Sequence, residues 1–223
     1  MKVISNRDSL YQELKILRKK TIDIGFVPTM GAIHEGHISL IQNSVKENKI
    51  TVCSIYVNPK QFNSTSDFKS YPRNIRKDIN LLKKLKVNYL YLPSYSDLFS
   101  LKVKRKIYLH KFSKDLCGKF RPKHFRGVIN VINRLLDIIK PKYILLGKKD
   151  FQQLYLIKKY IEKYKIKTTV IGCNTVRKEN GVAYSSRNKN LSLHELNLAS
   201  KVFKILRAEK KYLKRKPYFY FHK

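Results

Sequence analysis

The sequence is poor in cysteine, in acidic residues and in long apolar runs, and each shortage excludes a class of protein. Its three cysteines, Cys53, Cys117 and Cys173, lie far apart without Cys-x-x-Cys spacing, which argues against a disulfide framework and against a zinc site. No segment reaches the roughly 20 consecutive apolar residues that a membrane span requires. Residues 1–20 mix charged and apolar side chains at helical spacing, without the apolar core of a signal peptide. We therefore expect a cytoplasmic protein with no membrane partner.

The shortage of acidic residues leaves a very large positive charge. The chain has 49 Lys and Arg against 15 Asp and Glu, for a formal net charge of +34. Such a charge would ordinarily indicate a nucleic-acid partner, but here the basic residues are spread from Lys2 to Lys223 instead of forming one stripe. They also accompany a general excess of Ile, Asn and Tyr. We interpret the charge as compositional drift, and we expect anionic small substrates but no specific nucleic acid.

Apolar runs of strand length alternate with longer segments of helical period, which is typical of βαβ units. The predicted strands are residues 22–27, 50–57, 87–92, 142–146 and 167–171, and the predicted helices between them are 37–47, 74–86, 125–140 and 151–163. This order predicts a doubly wound, Rossmann-like α/β fold with a parallel sheet. Ligands bind such sheets outside the carboxyl ends of the strands, so the segments that follow strands carry the chemistry.

The pattern changes after residue 171. Residues 173–190 are polar and rich in turn formers, residues 191–214 have helical period, and residues 214–223 form a basic, aromatic tail. We therefore expect an α/β domain at 1–175 and a short second domain, of lid type, at 176–223.

The first predicted strand leads into the segment Pro-Thr-Met-Gly-Ala-Ile-His-Glu-Gly-His, residues 28–37, and then directly into a helix. Its two glycines permit close approach of the backbone to a ligand, and a helix amino terminus attracts phosphate. His34 and His37 are three residues apart, so both can face one side of the first helical turn. They could be ordinary surface histidines or half of a metal site, although no third ligand stands at suitable spacing. The whole segment resembles the HIGH motif of the nucleotidyl-transfer superfamily.

A second motif narrows the resemblance to one family. The second strand ends in Ser-Ile-Tyr-Val-Asn-Pro-Lys-Gln-Phe, residues 54–62, and the segments 71–73, 121–128, 147–154 and 185–188 follow in order. Together these motifs resemble the pantothenate synthetase (pantoate–β-alanine ligase) family over nearly all of residues 1–200. The resemblance implies an enzyme that uses ATP with Mg²⁺ to adenylate pantoate and then joins it to β-alanine. Pantothenate, AMP and pyrophosphate would be the products, and a homodimer is also implied.

The resemblance assigns roles residue by residue. His37 would act as a proton donor, with His34 and Lys149 as the other catalytic groups, and Gln61 and Gln153 would bind pantoate. Gln61 would also bind β-alanine. The implied ATP-binding residues are Met30, Gly31, Ala32, Ile33, His34, Glu35, Gly36, His37, Gly147, Lys148, Lys149, Asp150, Val176, Tyr184, Ser185, Ser186 and Arg187.

Elementary chemistry supports part of this assignment. Lys149 and Asp150 follow the strand at 142–146 and open a helix, where Asp150 is placed to cap and Lys149 to reach an α-phosphate. Attack of a carboxylate on phosphorus requires mainly positioning and neutralisation of charge. The side chains suited to that task are Lys149, His34, His37, Ser186 and Arg187.

The sequence departs from the family pattern at three positions. Lys148 stands where Glu is common and adds positive charge, Lys123 stands where Gly is usual, and Tyr184 replaces a smaller apolar residue. We expect Lys123 to strain any turn there that needs positive φ. The family also continues into a fuller second domain, so we expect weaker support for the Val176–Arg187 segment and some loss of the adenylate to water.

Two other functions remain open at this point. The chain could be a HIGH-type nucleotidyltransferase acting on a phosphorylated substrate, although the neutral amides Gln61 and Gln153 suit a hydroxy acid better. It could also be an inactive, nucleic-acid-binding remnant of a synthetase-like domain. Retention of His34, His37 and Lys149 argues against that remnant.

Overall fold

A six-stranded parallel sheet forms the centre of the structure, a computed structural model that describes the backbone of residues 1–215 and the side chains of 1–212. The predicted tail at 214–223 falls outside these described side chains. The strands are β1 (Lys2–Ile4), β2 (Ile24–Thr29), β3 (Ile50–Ile55), β4 (Tyr89–Tyr91), β5 (Tyr143–Gly147) and β6 (Thr169–Cys173). Their order across the sheet is β1-β4-β3-β2-β5-β6, and every neighbouring pair is parallel.

Helices connect the strands and end the described chain. They are α1 (Arg7–Lys19), α2 (Glu35–Glu47), α3 (Thr65–Ser70), α4 (Ile75–Lys84), α5 (Tyr95–Phe99), α6 (Cys117–Phe120), α7 (His124–Ile139), α8 (Phe151–Lys163) and α9 (Leu193–Arg215). Short 3-10 turns cover Pro59–Gln61, Lys111–Lys114, Lys148–Asp150 and Ser186–Asn190. None of the helices described here is both long and apolar enough to cross a membrane.

Two apolar clusters cover the two faces of the sheet. Because both faces are buried, the strand segments of the sequence are nearly continuous apolar runs. One cluster joins α1, α7 and α8 to the sheet through residues such as Leu14, Phe26 and Ile129. The other joins α2 and α4 to the opposite face through residues such as Ile41 and Leu82. Helices on both faces of a parallel sheet confirm the predicted doubly wound α/β fold.

The predicted elements match the structure with small shifts at their ends. The strand predicted at 22–27 is β2 at Ile24–Thr29, and the helix predicted at 151–163 is α8 with the same limits. The helix predicted at 191–214 is α9 at Leu193–Arg215. The edge strand β1 was not predicted, because it has only three residues and precedes a segment of helical period.

The order of the strands fixes where a ligand can bind. β2 and β5 are neighbours, and the chain proceeds in opposite directions across the sheet from this pair, through β3 on one side and β6 on the other. Such a switch point opens a crevice at the carboxyl ends of the two strands. The loop after β2 carries the His-x-Gly-His segment, and the turn after β5 carries Lys148–Asp150. The fold therefore brings together two of the segments that the sequence singled out.

Candidate active site

A cavity of about 240 Å³ lies at this switch point. One part of its wall is apolar and comes largely from α7, with Val128, Val131, Ile132 and Leu135. The lining also includes further apolar side chains, among them Leu40, Leu145 and Leu146. Its polar and basic members include both predicted histidines, both predicted glutamines and Lys149. A lining that combines apolar side chains with polar and basic ones suits a ligand that has both apolar and anionic portions.

The loop between β2 and α2 is a tight turn that a buried carboxylate holds. Gly31 and Ala32 have φ angles of 79° and 49°, a left-handed conformation that is unfavourable for Ala32. Asp78, in the first turn of α4, is 4% exposed and accepts hydrogen bonds from the Ala32 amide at 2.8 Å and the Ile33 amide at 2.9 Å. These amides are therefore engaged by protein and not by the solvent. Asp78 stabilises the turn that delivers the two histidines to the cavity.

The two histidines stack on each other at the start of α2. Their ring centroids are 4.0 Å apart, with 28° between the ring planes. His34 is the N-cap of α2, and its Nδ1 accepts a hydrogen bond from the Gly36 amide at 3.1 Å. The neutral ring therefore carries its proton on Nε2, which is the donor that remains for a ligand. His37 Nδ1 is buried and has no hydrogen-bond partner among the described residues.

Both imidazoles are uncharged near neutral pH. Burial, reinforced by the positive charge of Lys149, lowers the pKa of His34 to about 4. Burial and the neighbouring His34 lower the pKa of His37 to about 3, with Lys149 adding to the effect. The two rings therefore act as neutral hydrogen-bond donors. The negative charge of a bound triphosphate would raise both pKa values.

The turn after β5 differs in one respect from the prediction. Asp150 stands at the N-cap position of α8, but its side chain makes no capping hydrogen bond, so the predicted cap is wrong. Its carboxylate is 3.1 Å from the Lys149 ammonium instead and pairs with it. Lys149 and Asp150 both line the cavity, whereas the Lys148 ammonium donates to Asn174 Oδ1 at 2.9 Å. The two adjacent lysines thus have different environments.

Gln61 enters the cavity from the 3-10 turn after β3. Its Nε2 donates to Met30 Sδ at 2.8 Å, and because a thioether is a weak acceptor, a substrate oxygen can replace it. The backbone carbonyl oxygen of Gln61 lies 2.7 Å from His124 Nδ1 and 3.3 Å from Arg121 Nη2. This contact gives Arg121 and His124 a role in holding Gln61. Burial lowers the pKa of His124, which favours its neutral form.

A close backbone contact places the Gln61 turn against α7. A Cβ atom at Gly127 would lie 2.5 Å from the Lys60 carbonyl oxygen, so only glycine permits this approach. Asn58 Nδ2 donates to the Gly127 carbonyl at 3.1 Å across the same contact. Lys123, just before α7, has φ of −97°, so the strain expected at this departure from the family is not present.

The Val176–Arg187 segment closes one side of the cavity. The Tyr184 amide donates to the Val176 carbonyl at 3.1 Å, which joins the ends of a short hairpin. Ser185 caps the following 3-10 turn, and Ser186 is buried. Ser186 Oγ donates to the Ala32 carbonyl and lies 3.3 Å from the Tyr71 hydroxyl. The loop is thereby tied to the turn that carries the histidines, across the predicted domain boundary at 175.

Most of the predicted site residues meet at the cavity. Those that line it are Met30, His34, Gly36, His37, Gln61, Gly147, Lys149, Asp150, Gln153, Val176, Tyr184, Ser185, Ser186 and Arg187. The others lie off the cavity wall. Gly31 and Ala32 are buried in the turn, Ile33 is half-buried, Glu35 is exposed, and Lys148 binds Asn174.

Several polar side chains in and around the site were not predicted: Tyr71, Asn174 and Thr175 are among those that line the cavity, and three others lie outside its wall. Asp78 occupies the apolar face of α4, beside Ile79 and Leu82, and an acid on such a face was the signal that could have found it. Asp67 pairs with Arg187, a contact between distant segments that leaves no pattern in the sequence. Gln152 is buried next to Gln153, and its Nε2 donates to the Phe112 and Asp115 carbonyls, both at 2.7 Å.

The doubly wound sheet, with a His-x-Gly-His turn at its switch point, defines the class: nucleotide-using α/β enzymes that carry a HIGH motif. The family model described as pantoate-beta-alanine ligase matches residues 2–219. The chain belongs to the pantoate–β-alanine ligase family, which confirms the resemblance found in the motifs.

Individual relatives agree with this family. The chain is 44% identical to a pantothenate synthetase of Sulfurihydrogenibium sp. over 92% of its own length and 74% of the relative's. A crystal structure of pantoate-beta-alanine ligase from Francisella tularensis, complexed with beta-gamma ATP and beta-alanine, is 41% identical. It has a TM-score of 0.84 and covers 93% of this chain and 79% of that one. The Thermus thermophilus pantothenate synthetase has a TM-score of 0.89 at 31% identity, covering 96% and 76%.

Proposed function

We propose that this chain joins pantoate to β-alanine in two steps, with ATP as the source of energy. In the first step a pantoate carboxylate oxygen attacks the α-phosphorus of ATP, and pyrophosphate leaves. In the second step the neutral amine of β-alanine attacks the carbonyl carbon of the pantoyl adenylate, and AMP leaves. The observation that carries this proposal is the mixed lining of the cavity, which combines two amides and the apolar side chains of α7 with basic groups.

The apolar part of the cavity suits pantoate. Pantoate has two methyl groups on one carbon, and the wall of Val128, Val131 and Ile132 offers them an apolar surface. Gln61 and Gln153 line the same cavity, and an amide both donates and accepts, as a hydroxyl and a carboxylate require. A second phosphate would favour cations at these two positions, so the amides favour the ligase over the nucleotidyltransferase. We assign β-alanine to the neighbourhood of Gln61.

The basic part of the cavity suits the triphosphate of ATP. Lys149 and Arg187 supply positive charge, while His34 and His37 supply neutral donors that face a shared space. Fixed donors of this kind stabilise the charge that develops on the phosphorus oxygens and on the leaving pyrophosphate. For His37, the role of proton donor requires that bound ATP first raise its pKa from about 3. We therefore assign it hydrogen-bond donation in the first instance.

Mg²⁺ fits this site as a companion of the nucleotide. No group of three or more His, Cys, Asp or Glu side chains in the described part of the chain is arranged to hold a metal ion. Mg²⁺ is commonly held by substrate phosphates, water and one or two carboxylates, and Asp150 provides one carboxylate on the cavity wall. Bound in this way, the ion would neutralise phosphate charge. A cytoplasmic homodimer completes the proposal, and sedimentation equilibrium tests the dimer.

The exchange of labelled pyrophosphate into ATP tests the proposed order of steps. We expect exchange with ATP, Mg²⁺ and pantoate, and we expect no requirement for β-alanine. Exchange without pantoate, or only with β-alanine present, would refute the order. Absence of exchange, together with binding of nucleic acid, would instead support the inactive remnant.

A further inference from the structure

Arg187 is held in place before any nucleotide binds. Its Nε and Nη2 atoms donate to the two carboxylate oxygens of Asp67, at 3.1 Å and 3.0 Å. Its guanidinium carbon also lies 5.3 Å from the centre of the Tyr71 ring and 5.8 Å from that of Phe62, within the range of cation–π attraction. A long side chain with 43% of its surface exposed is thereby restricted to one orientation.

The contact with Asp67 uses only part of the guanidinium. Arginine has five N–H donors in one plane, and Asp67 accepts one from Nε and one from Nη2. Both donors on Nη1 and the second donor on Nη2 are not used by this carboxylate. Because Arg187 also lines the cavity, a phosphate can bind these donors while the pair with Asp67 remains intact.

The segment that carries Asp67 is itself well anchored. Ser64 caps α3 by accepting a hydrogen bond from the Asp67 amide at 3.1 Å. Arg73 donates to the Phe68 carbonyl at 2.7 Å and lies over the Phe68 ring, at the other end of this short helix. Phe62 packs edge-on against both Phe68 and Tyr71. The carboxylate therefore has a fixed position from which to orient a partner.

We propose that Asp67 is a positioning residue, which orients the Arg187 guanidinium so that its remaining donors meet the triphosphate of ATP. This inference rests on the proposed function, because it takes Arg187 as a ligand of the nucleotide. A pre-oriented side chain loses less conformational entropy when ATP binds, so the contribution of Asp67 is expected in ATP binding. We expect pantoate binding, which the proposed function assigns to Gln61, Gln153 and the apolar side chains of α7, to be unaffected.

The opposite effect is also physically possible and is the main competing outcome. If the pair had to break before ATP could bind, Asp67 would compete with the triphosphate for Arg187. Removal of the carboxylate would then lower the KM for ATP, whereas removal of a positioning residue raises it. The sign of one measured change therefore separates the two mechanisms.

The first test measures KM for ATP and for pantoate in Asp67→Asn. A partly exposed pair with two hydrogen bonds predicts an increase of about three- to tenfold in the KM for ATP. The KM for pantoate should change less than about twofold, and Asp67→Glu should restore part of the ATP affinity because it restores the charge. Asp23→Asn is the matched control, since Asp23 forms a 2.6 Å ion pair with Lys142 at the amino end of β2, away from the cavity. An unchanged or lowered KM for ATP in Asp67→Asn overturns the proposal.

The second test asks whether Asp67 acts through Arg187. In an Arg187→Met background, Asp67→Asn should change the KM for ATP less than about 1.5-fold, because the partner is gone. A change as large as in the wild-type chain would show that Asp67 acts on ATP by another route, and would also overturn the proposal. If Arg187→Met alone leaves the KM for ATP unchanged, the proposed role of Arg187 fails. If only the Asp67 variant has no effect, the inference alone fails.

Discussion

The buried carboxylate of Asp78 offers a sharp test of how the site is built. It accepts two amide hydrogen bonds, at 2.8 Å and 2.9 Å, from the turn that precedes the histidines. Hydrogen bonds to a charged group contribute about 1.5–3 kcal/mol each, so the pair contributes about 3–6 kcal/mol. Removing a buried charge offsets part of this loss. We expect Asp78→Ala to lower the free energy of unfolding by about 3 kcal/mol.

The same substitution should also impair binding of ATP. Without the carboxylate, Ala32 loses the two amide contacts that offset a left-handed conformation costing about 1–2 kcal/mol, and weaker contacts such as the Ser186–Ala32 hydrogen bond remain. The turn should relax and move His34 and His37 away from each other. Asp78→Asn keeps one acceptor oxygen and should have roughly half the effect on stability. Asp23→Ala, which removes an exposed ion pair, should have a much smaller effect on stability.

Urea denaturation measures the stability change, and steady-state kinetics measures the KM for ATP. The m-value should stay constant, so that the shift of the midpoint reports stability alone. A loss below about 1 kcal/mol in Asp78→Ala, with an unchanged KM for ATP, would refute the reasoning. It would mean that the turn holds its shape without the carboxylate.

Three further predictions concern the cavity itself. Lys149→Ala should slow adenylate formation, measured by pyrophosphate exchange, by about 10²–10³-fold, because it removes a fixed cation from the reacting phosphate. Lys148→Ala should have a much smaller effect, because its ammonium binds Asn174. Gln61→Ala should weaken pantoate binding about tenfold by calorimetry, because a substrate oxygen loses its partner. The imidazole signals of His34 and His37 in the empty enzyme should not titrate by NMR above about pH 5, given pKa values of about 4 and 3. Since the unfolded chain binds those protons near pH 6.5, stability should fall as the pH drops from about 6.5 towards 3.

Each of these predictions has an outcome that contradicts it. If Lys149→Ala and Lys148→Ala slowed adenylate formation equally, only the total positive charge at this turn would matter. Unchanged pantoate affinity in Gln61→Ala would remove Gln61 from the binding site. A titration of either histidine near pH 6.5 would show that the ring is hydrated, contrary to its burial in the structure.

The sequence predicted the fold well because the relevant signals are local. The apolar period of α8 and the apolar runs of β2 and β5 are contained within single segments. The strand–turn–helix order also placed His34, His37 and Lys149 at one end of the sheet, since the carboxyl ends of parallel strands lie together.

The unpredicted parts of the site depend on contacts between distant segments. Asp67 and Arg187 are 120 positions apart, and Asp78 reaches a turn that lies more than 40 positions before it. The Asp67 contact leaves no pattern in its own segment, and the Asp78 contact leaves only an acid on an apolar helix face. The failed prediction for Asp150 has a different, local cause, because the ammonium of the adjacent Lys149 competes with the helix amides for its carboxylate.

Gln152 and Gln153 are adjacent and chemically identical, but their side-chain amides have different surroundings and therefore different constraints on substitution. Successive residues on a helix point about 100° apart, so one amide is held inside the protein while the next lines the cavity. Gln152 donates to two carbonyls and accepts from the Cys117 amide, so it tolerates neither loss of its donors nor a negative charge. A change of substrate could, by contrast, be accommodated at Gln153 without disturbing the scaffold. In a library that randomises both codons, position 152 should remain fixed under selection for folding alone, whereas position 153 should become fixed only when the substrate is required.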